Sequence, residues 1–554
     1  MDQTRGFSTT LVCWLFQLGL GACGQASDDA SFTCDNPCTV SGPVCDPGGS
    51  GQIGTCTQDP STGCYSLSGL TDCTVAGQTC AAGENACART CTNEAVDVVL
   101  QPGDDIQAAV SSAAEGTSFR LSAGVYRGVG VVPKANQRFF GELASNCTRL
   151  ATMVGARLVD TWQQQGGVWV AGGQTQEGQV GGECEAGWRC DRPEDLYFDD
   201  QPMHHVLAVS EVGPDSWFFD YDADTVYLGQ DPTGHKVELG DARVAFAPSA
   251  AGVVVKHLVI EKYAIPSQMG AIGDQYPADG WDVEDNVLQL NHGAGANVGN
   301  GSVVRGNLLV HNGQKGIGAT GTDVLVESNE IAWNNYAHVA WWWEAGGSKF
   351  SYTTNLMVRN NCVHHNYGPG LWTDINNVSV TYEGNVVFSN DGEGIFHEIG
   401  YASWIHNNMV GLNGSLPRGW LFSSNILLST SSDGVVENNY VEVAQGYGNA
   451  IGIIWQNRPP WAATNNAVRN NEIRFLGTAG QQGAVADFDP AWSAMWGATS
   501  FAGNAYHMPD TSQAYFKWQN SDTTFSGFQS YGEDSGGTVD TDLTARTWSC
   551  DLVP

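Results

Sequence analysis

Two acids, Asp374 and Glu398, occupy the same place in consecutive copies of one pattern. The first copy runs Asn366, Gly370, Leu371, Trp372, Thr373, Asp374, and the second runs Asn390, Gly394, Ile395, Phe396, His397, Glu398. Their separation of 24 residues is one coil of a solenoid built from Val, Ile, Asn and Gly. Stacked as parallel strands, equivalent positions lie one strand spacing apart, roughly 4.8 Å. Two carboxyl groups about 5 Å apart are the arrangement a retaining glycosidase uses, one as nucleophile and one as acid/base.

Alternation along a strand fixes which way each side chain points. With Leu371 and Ile395 inward, Trp372 and Phe396 face out, together with Asp374 and Glu398. An aromatic pair beside an acid pair suits a sugar, whose apolar ring face stacks on Trp while carboxyls reach its oxygens. Glu398, beside Phe396 and near a like charge, is expected to titrate high. The same parity turns Thr373 and His397 inward, which is costly for His397 and leaves the register near the turn open by one residue. Asp391, Glu393 and Glu344 are rival acids in the turns or one coil away.

The coils that must position these groups are visible after Val253. Asn286, Asn307, Asn329, Asn361, Asn385, Asn408, Asn439 and Asn471 each stand two positions before an aliphatic residue. Six of them recur five residues later, as Asn291, Asn312, Asn334, Asn366, Asn390 and Asn413. Their intervals are 21, 22, 32, 24, 23, 31 and 32, so three coils carry about ten extra residues. Asn at such spacing predicts inward ladders that bond neighbouring coils. One insert precedes the Asp374 coil and holds Trp341, Trp342, Trp343, Glu344 and Lys349; another follows the Glu398 coil and holds Arg418, Trp420 and Phe422. Inserts on both sides of two regular coils predict a walled groove, with Trp372, Phe396, Trp342, Glu344 and Trp420 as candidate substrate-binding residues.

Upstream, Leu11–Leu20 is an apolar run too short to span a bilayer and suited to a signal sequence. It ends in Leu20-Gly21-Ala22-Cys23, which resembles a bacterial lipobox and implies acylation at Cys23, a membrane anchor and a cell-envelope location; ordinary cleavage near Ala22, giving an extracellular protein, is the alternative, and export is expected either way. Nine cysteines between Cys34 and Cys91 predict a disulfide-stapled module, with one thiol left to pair elsewhere, Cys147 and Cys550 being candidates. Val96–Tyr126 reads as strand, short helix over 103–114, strand, turn and strand, and resembles the N-terminal cap of pectin-lyase-like right-handed β-helices. Leu158–Pro248 breaks the repeat, with a candidate Cys184–Cys190 pair and hairpin-like alternation from Trp217 to Gly234. The expected order is a signal at 1–22, a Cys-rich module at 23–95, an all-β right-handed parallel β-helix at 96–480 with a β-rich insert at 158–248, and a cap at 481–554.

The segments GLWTD (Gly370–Asp374) and IFHEIG (Ile395–Gly400) resemble the motif pair of the right-handed β-helix β-xylosidases, glycoside hydrolase family 120. The resemblance implies Asp374 as nucleophile and Glu398 as general acid/base. That family also carries a β-rich domain interrupting its helix.

Composition bounds the partners. A formal net charge of −35 argues against nucleic acid and disfavours a polyuronate. No metal or cofactor is assigned, and nucleophile-elbow, P-loop, dinucleotide and zinc-hydrolase motifs do not occur, so those chemistries are not expected. The expected activity is retaining hydrolysis of a neutral polysaccharide or oligosaccharide. Two alternatives stand beside it: a polysaccharide lyase using Lys349, Arg418 or Tyr401, and a non-catalytic glycan-binding solenoid.

Overall fold

The computed structural model describes residues 42–45, 52–58, 65–72, 78–79, 88–89 and 91–552, apart from 276 and 488–490. The expected signal run and Cys23 lie outside the described residues, as do most cysteines of the N-terminal module. The chain divides into two units, 1–90 and 91–554. In the first, strands Gly42–Cys45, Gln52–Gln58 and Tyr65–Asp72 form an antiparallel sheet, and Cys56 is disulfide-bonded.

The second unit is a parallel β-helix whose coils contribute strands to three stacks. One stack includes Ala294–Val298, Lys315–Thr322, Gly346–Thr354, Leu371–Asp374, Ile395–Glu398, Ser424–Ser429 and Asn449–Trp455. A second includes Val303–Arg305, Leu325–Glu327, Met357–Arg359, Val378–Glu383 and Tyr401–His406. The third is a sheet of thirteen strands, from Gly124–Arg127 to Thr538–Asp540. The opening helix, Ile106–Ser112, is capped by Asp105, whose side chain accepts from Ala108 N, and it buries Ile106 and Val110 against the first coils.

The ladders explain why the coils stack in one register. The amide of Asn361 donates to Asn385 Oδ1 at 2.9 Å and to Val326 O at 3.0 Å, while its own Oδ1 accepts from Asn329 N at 3.0 Å. Each buried Asn is thereby satisfied by the coils on either side, as burial requires. The residue before a ladder Asn takes a left-handed conformation: Asn360, Asn407, Asn438 and Asn470 have φ of 53°, 55°, 56° and 55°. Asn tolerates that region because its short side chain bonds locally, which accounts for the Asn-Asn pairs in the sequence.

The first ladder continues beyond the expected end of the solenoid. Asn471 N donates to Asn504 Oδ1, and Asn504 N to Asp534 Oδ1. Strands Gln482–Ala486, Ser500–Ala502, Ala505–His507 and Phe516–Trp518 keep the stacks going, so 481–554 is partly solenoid rather than only a cap. Phe525 and Phe528 on the helix Phe525–Ser530 then join the main core at the end of the stack. The remaining tail returns along the third stack, where Cys550 pairs with Cys362 and Trp548 Nε1 donates to Glu442 Oε1 at 2.8 Å.

The insert forms two small sheets spanning Ala156–Leu158 to Val237–Gly240, with their own core around Trp217, Phe219, Leu228 and Leu239. Its Trp217–Asp220 segment pairs antiparallel with Thr225–Leu228, the expected hairpin. Cys184 pairs with Cys190, and Cys91 with Cys147. Such bridges fit an oxidising, extracytoplasmic compartment. Among the described residues no helix is long and apolar enough to cross a membrane.

Candidate active site

Strands Leu371–Asp374 and Ile395–Glu398 pair in parallel with Asp374 opposite Glu398 and Trp372 opposite Phe396. Leu371 and Ile395 enter the main core, so alternation sends Trp372, Asp374, Phe396 and Glu398 outward as expected. Thr373 and His397 do point inward, and the register is not shifted. His397 is buried without charge: Nδ1 lies 2.8 Å from Thr373 Oγ1, Nε2 has no partner among the described residues, and burial depresses its pKa to about 4. Tyr382 OH donates to the same Thr373 Oγ1 at 3.2 Å, which extends the buried polar chain beneath the two acids.

The aromatic pair departs from its expected role. Trp372 and Phe396 stack at 5.4 Å but are only 3% and 2% exposed, because Leu421 and Phe422 of the second insert fold over them. Neither ring offers an open face to a sugar. The cover is pinned by Glu393, which is fully buried; its Oε1 accepts from Ser423 N at 3.0 Å and from Arg418 Nη1 at 3.4 Å. Asp391 holds Ser415 in the same loop. These two rival acids anchor the wall. Trp342 and Trp420 remain accessible, at 50% and 44% exposure.

Around the carboxylates the charges are paired. Lys349 Nζ lies 2.8 Å from Asp374 Oδ2, 3.1 Å from Glu344 Oε1 and 3.8 Å from the Trp372 ring centre. Lys315 reaches Glu344 Oε2 at 3.4 Å. Burial pushes the Glu344 carboxyl up, but Lys315 and Lys349 outweigh it and hold it below its ordinary value. Asp374 Oδ1 is buried and has no hydrogen-bond partner among the described residues, the kind of unsatisfied group that calls for a reason.

Glu398 sits between opposing influences. Its Oε1 pairs with Arg458, and its Oε2 accepts from Trp372 Nε1 at 3.3 Å. Burial, then the Asp374 charge, raise its pKa above the ordinary value despite Arg458. Two neighbouring acids with different surroundings are the pattern that separates a nucleophile from an acid/base.

On the Asp374 side, Ser351, Lys349, Glu344, Lys315, Asn297 and Gln268 line part of a cleft of about 290 Å³. On the Glu398 side, Arg418, Trp420, Phe422 and Gln456 border a more open hollow of about 390 Å³. The two inserts thus contribute a wall at each end.

Arg458 and Lys315 are not among the residues the sequence singles out, and Lys349 enters there only as a member of the first insert and of the lyase alternative. The third long Asn interval, Asn439 to Asn471, was a signal for the first of these. Its extra residues form the loop that brings Arg458 to Glu398 and Trp461 Nε1 to Asn376 Oδ1, across three coils. Lys349 is tied to two carboxylates, Glu344 and Asp374, and Arg418 to Glu393.

A family model described as right handed beta helix region matches residues 274–417. No curated protein sequence matches the chain. Among solved structures, the complex of XylC with xylose is similar, with a TM-score of 0.57 at 15% identity, over 79% of this chain and 83% of that one. The A-module of the mannuronan C-5 epimerase AlgE6 from Azotobacter vinelandii gives 0.45 at 13% identity, over 80% and 94%. With the parallel register of the coils, the family match and the likeness to XylC identify the fold: the main unit of this chain is a right-handed parallel β-helix.

Proposed function

We propose that the chain is a retaining glycoside hydrolase acting on a neutral glycan, with Asp374 as nucleophile and Glu398 as general acid/base. The observation that carries this reading is the pairing of Asp374 with Glu398 on adjacent strands, Glu398 being the carboxyl that is pushed up. In the first step Asp374 attacks the anomeric carbon while Glu398 gives its proton to the leaving oxygen. In the second, Glu398 takes a proton from water, which displaces Asp374 and releases the sugar. Lys349 and Glu344 hold Asp374 in place. Arg458 must yield part of its contact for Glu398 to be protonated.

Charge pairing supports a neutral substrate. Three cations, Lys315, Lys349 and Arg458, face three carboxylates, Glu344, Asp374 and Glu398, so none is left over for a uronate. That weighs against the lyase alternative. The same Arg458–Glu398 pair favours, as a second reading, a binding solenoid whose acid is never free. Because a xylose complex is among the similar folds, xylosides head the screen. Purified protein is assayed on aryl glycosides beside Asp374→Asn. Cleavage that Asp374→Asn loses supports the hydrolase, equal cleavage by both overturns the assignment, and binding of neutral glycans without any cleavage supports the second reading. The lipid anchor at Cys23 is a separate proposal, tested by detergent partition of Cys23→Ser.

A further inference from the structure

The outer face of the second stack carries two columns of side chains with opposite character. One column is charged along most of its length: Lys256, Glu284, Arg305, Glu327, Arg359, Glu383, His406, Glu437 and Arg469 follow one another from coil to coil. Neighbours in it are ion-paired, as in Arg359 with Glu327 at 2.6 Å and Arg469 with Glu437 at 2.7 Å. The column two residues earlier is uncharged where it contains Met357, Thr381, Trp404 and Val435.

Trp404 leans from the uncharged column over the charged one. Its ring stacks on His406 at 3.7 Å and its Nε1 donates to Glu437 Oε1 at 2.8 Å, so the ring is fixed although the residue is 47% exposed. The lean opens a trough of about 370 Å³ beside the ring, bordered by Asn355, Met357, Ser379, Thr381 and Ala402. These residues come from three successive coils, a span of about 10 Å across the strands.

We propose that this trough is a second glycan-binding site, distinct from the carboxylate pair, which holds an uncharged polysaccharide chain running across the coils. A fixed indole with a free side supplies the apolar surface on which a pyranose ring stacks. The hydroxyls of Ser379 and Thr381 and the Asn355 amide supply hydrogen bonds beside it. The trough carries no charge on a chain of net charge −35. A polyanion meets repulsion there without a counter-charge, and a polycation finds its partners among the acids elsewhere; an uncharged chain is the ligand that fits. The site adjoins the candidate catalytic strands, since Thr381 follows Asp374 by only 7 residues. One polymer held at both places gains effective concentration at the carboxylates.

The test is affinity electrophoresis of the full chain in native gels containing neutral arabinoxylan, neutral mixed-linkage β-glucan or polygalacturonate. It is run in the Asp374→Asn background so that no cleavage enters the reading. Asp374→Asn is expected to be retarded in at least one neutral gel and to run freely in polygalacturonate. Adding Trp404→Ala, or Thr381→Arg to fill the trough with a charged side chain, is expected to weaken retardation at least tenfold, with unchanged thermal melting. Should Trp404→Ala fail to fold, Thr381→Arg carries the test. Retardation that survives both substitutions, appears only with polygalacturonate, or is absent from every gel overturns the proposal. None of these outcomes depends on whether the carboxylate pair is catalytic.

Discussion

Lys349 Nζ lies 2.8 Å from Asp374 Oδ2, on the strand immediately preceding that of Asp374 in the stack. The ammonium is nearly buried and also bonds Trp343 O at 2.9 Å and Glu344 Oε1 at 3.1 Å. It therefore fixes the carboxylate in direction.

Removing that cation leaves a buried carboxylate uncompensated. Lys349→Met is expected to destabilise the fold by about 3 kcal/mol, read as a lower denaturation midpoint. Glycoside cleavage should fall by at least about 100-fold, because a small displacement of the proposed nucleophile is enough to lose alignment. Lys349→Arg, which keeps the charge, should recover much of the stability and less of the activity.

The pH profile should report Glu398. In the proposed mechanism Glu398 works protonated, so kcat/KM should fall as pH rises through its pKa, which burial and Asp374 place above the ordinary Glu value. Arg458 favours the ionised form. Arg458→Gln should therefore move the alkaline limb to higher pH, measured with one aryl glycoside across the range. Linkage gives the matching sign for stability: a carboxyl raised in the folded state contributes most below its unfolded pKa, and that contribution is lost as pH rises through the folded value.

The ladder makes a prediction about the fold alone. Asn385→Ala strands Asn361 N and Val358 O, which Asn385 now satisfies at 3.0 and 2.9 Å. A buried unsatisfied group costs about 1–3 kcal/mol, so two of them make the expected loss at least about 2 kcal/mol. Chemical denaturation of the variant beside the parent measures it.

What the sequence disclosed follows from how local each constraint is. The ladder Asn were legible because each coil repeats one buried corner, and the inward and outward faces of Leu371–Asp374 followed from alternation. The two acids were legible together because stacking converts equal repeat position into adjacency. Contacts delivered by loops were not. The cover over Trp372 and Phe396 depends on how the second insert folds back, which Glu393 decides from within a turn. Arg458 reaches Glu398 from 60 residues away. The final coils were hidden because the ladder position passes from Asn471 to Asn504 and then to Asp534, at intervals of 33 and 30 and with a change of residue type.

The cover itself can be tested. Phe422→Ala should open a cavity over the stacked rings and cost about 3 kcal/mol or more. The expected sign of uncovering is a red shift and stronger quenching of tryptophan fluorescence by acrylamide.

The central claim is that Asp374 becomes covalently bound to sugar. The direct measurement is the mass of Glu398→Gln after incubation with an activated aryl glycoside of whichever sugar the wild type releases. Such a substrate needs no acid for the first step, while the second step lacks its base. The expected result is one glycosyl unit added to the protein and mapped to the peptide carrying Asp374, lost again when azide is supplied. An adduct on another residue, or sugar released at the wild-type rate with no adduct at any time, contradicts the assignment.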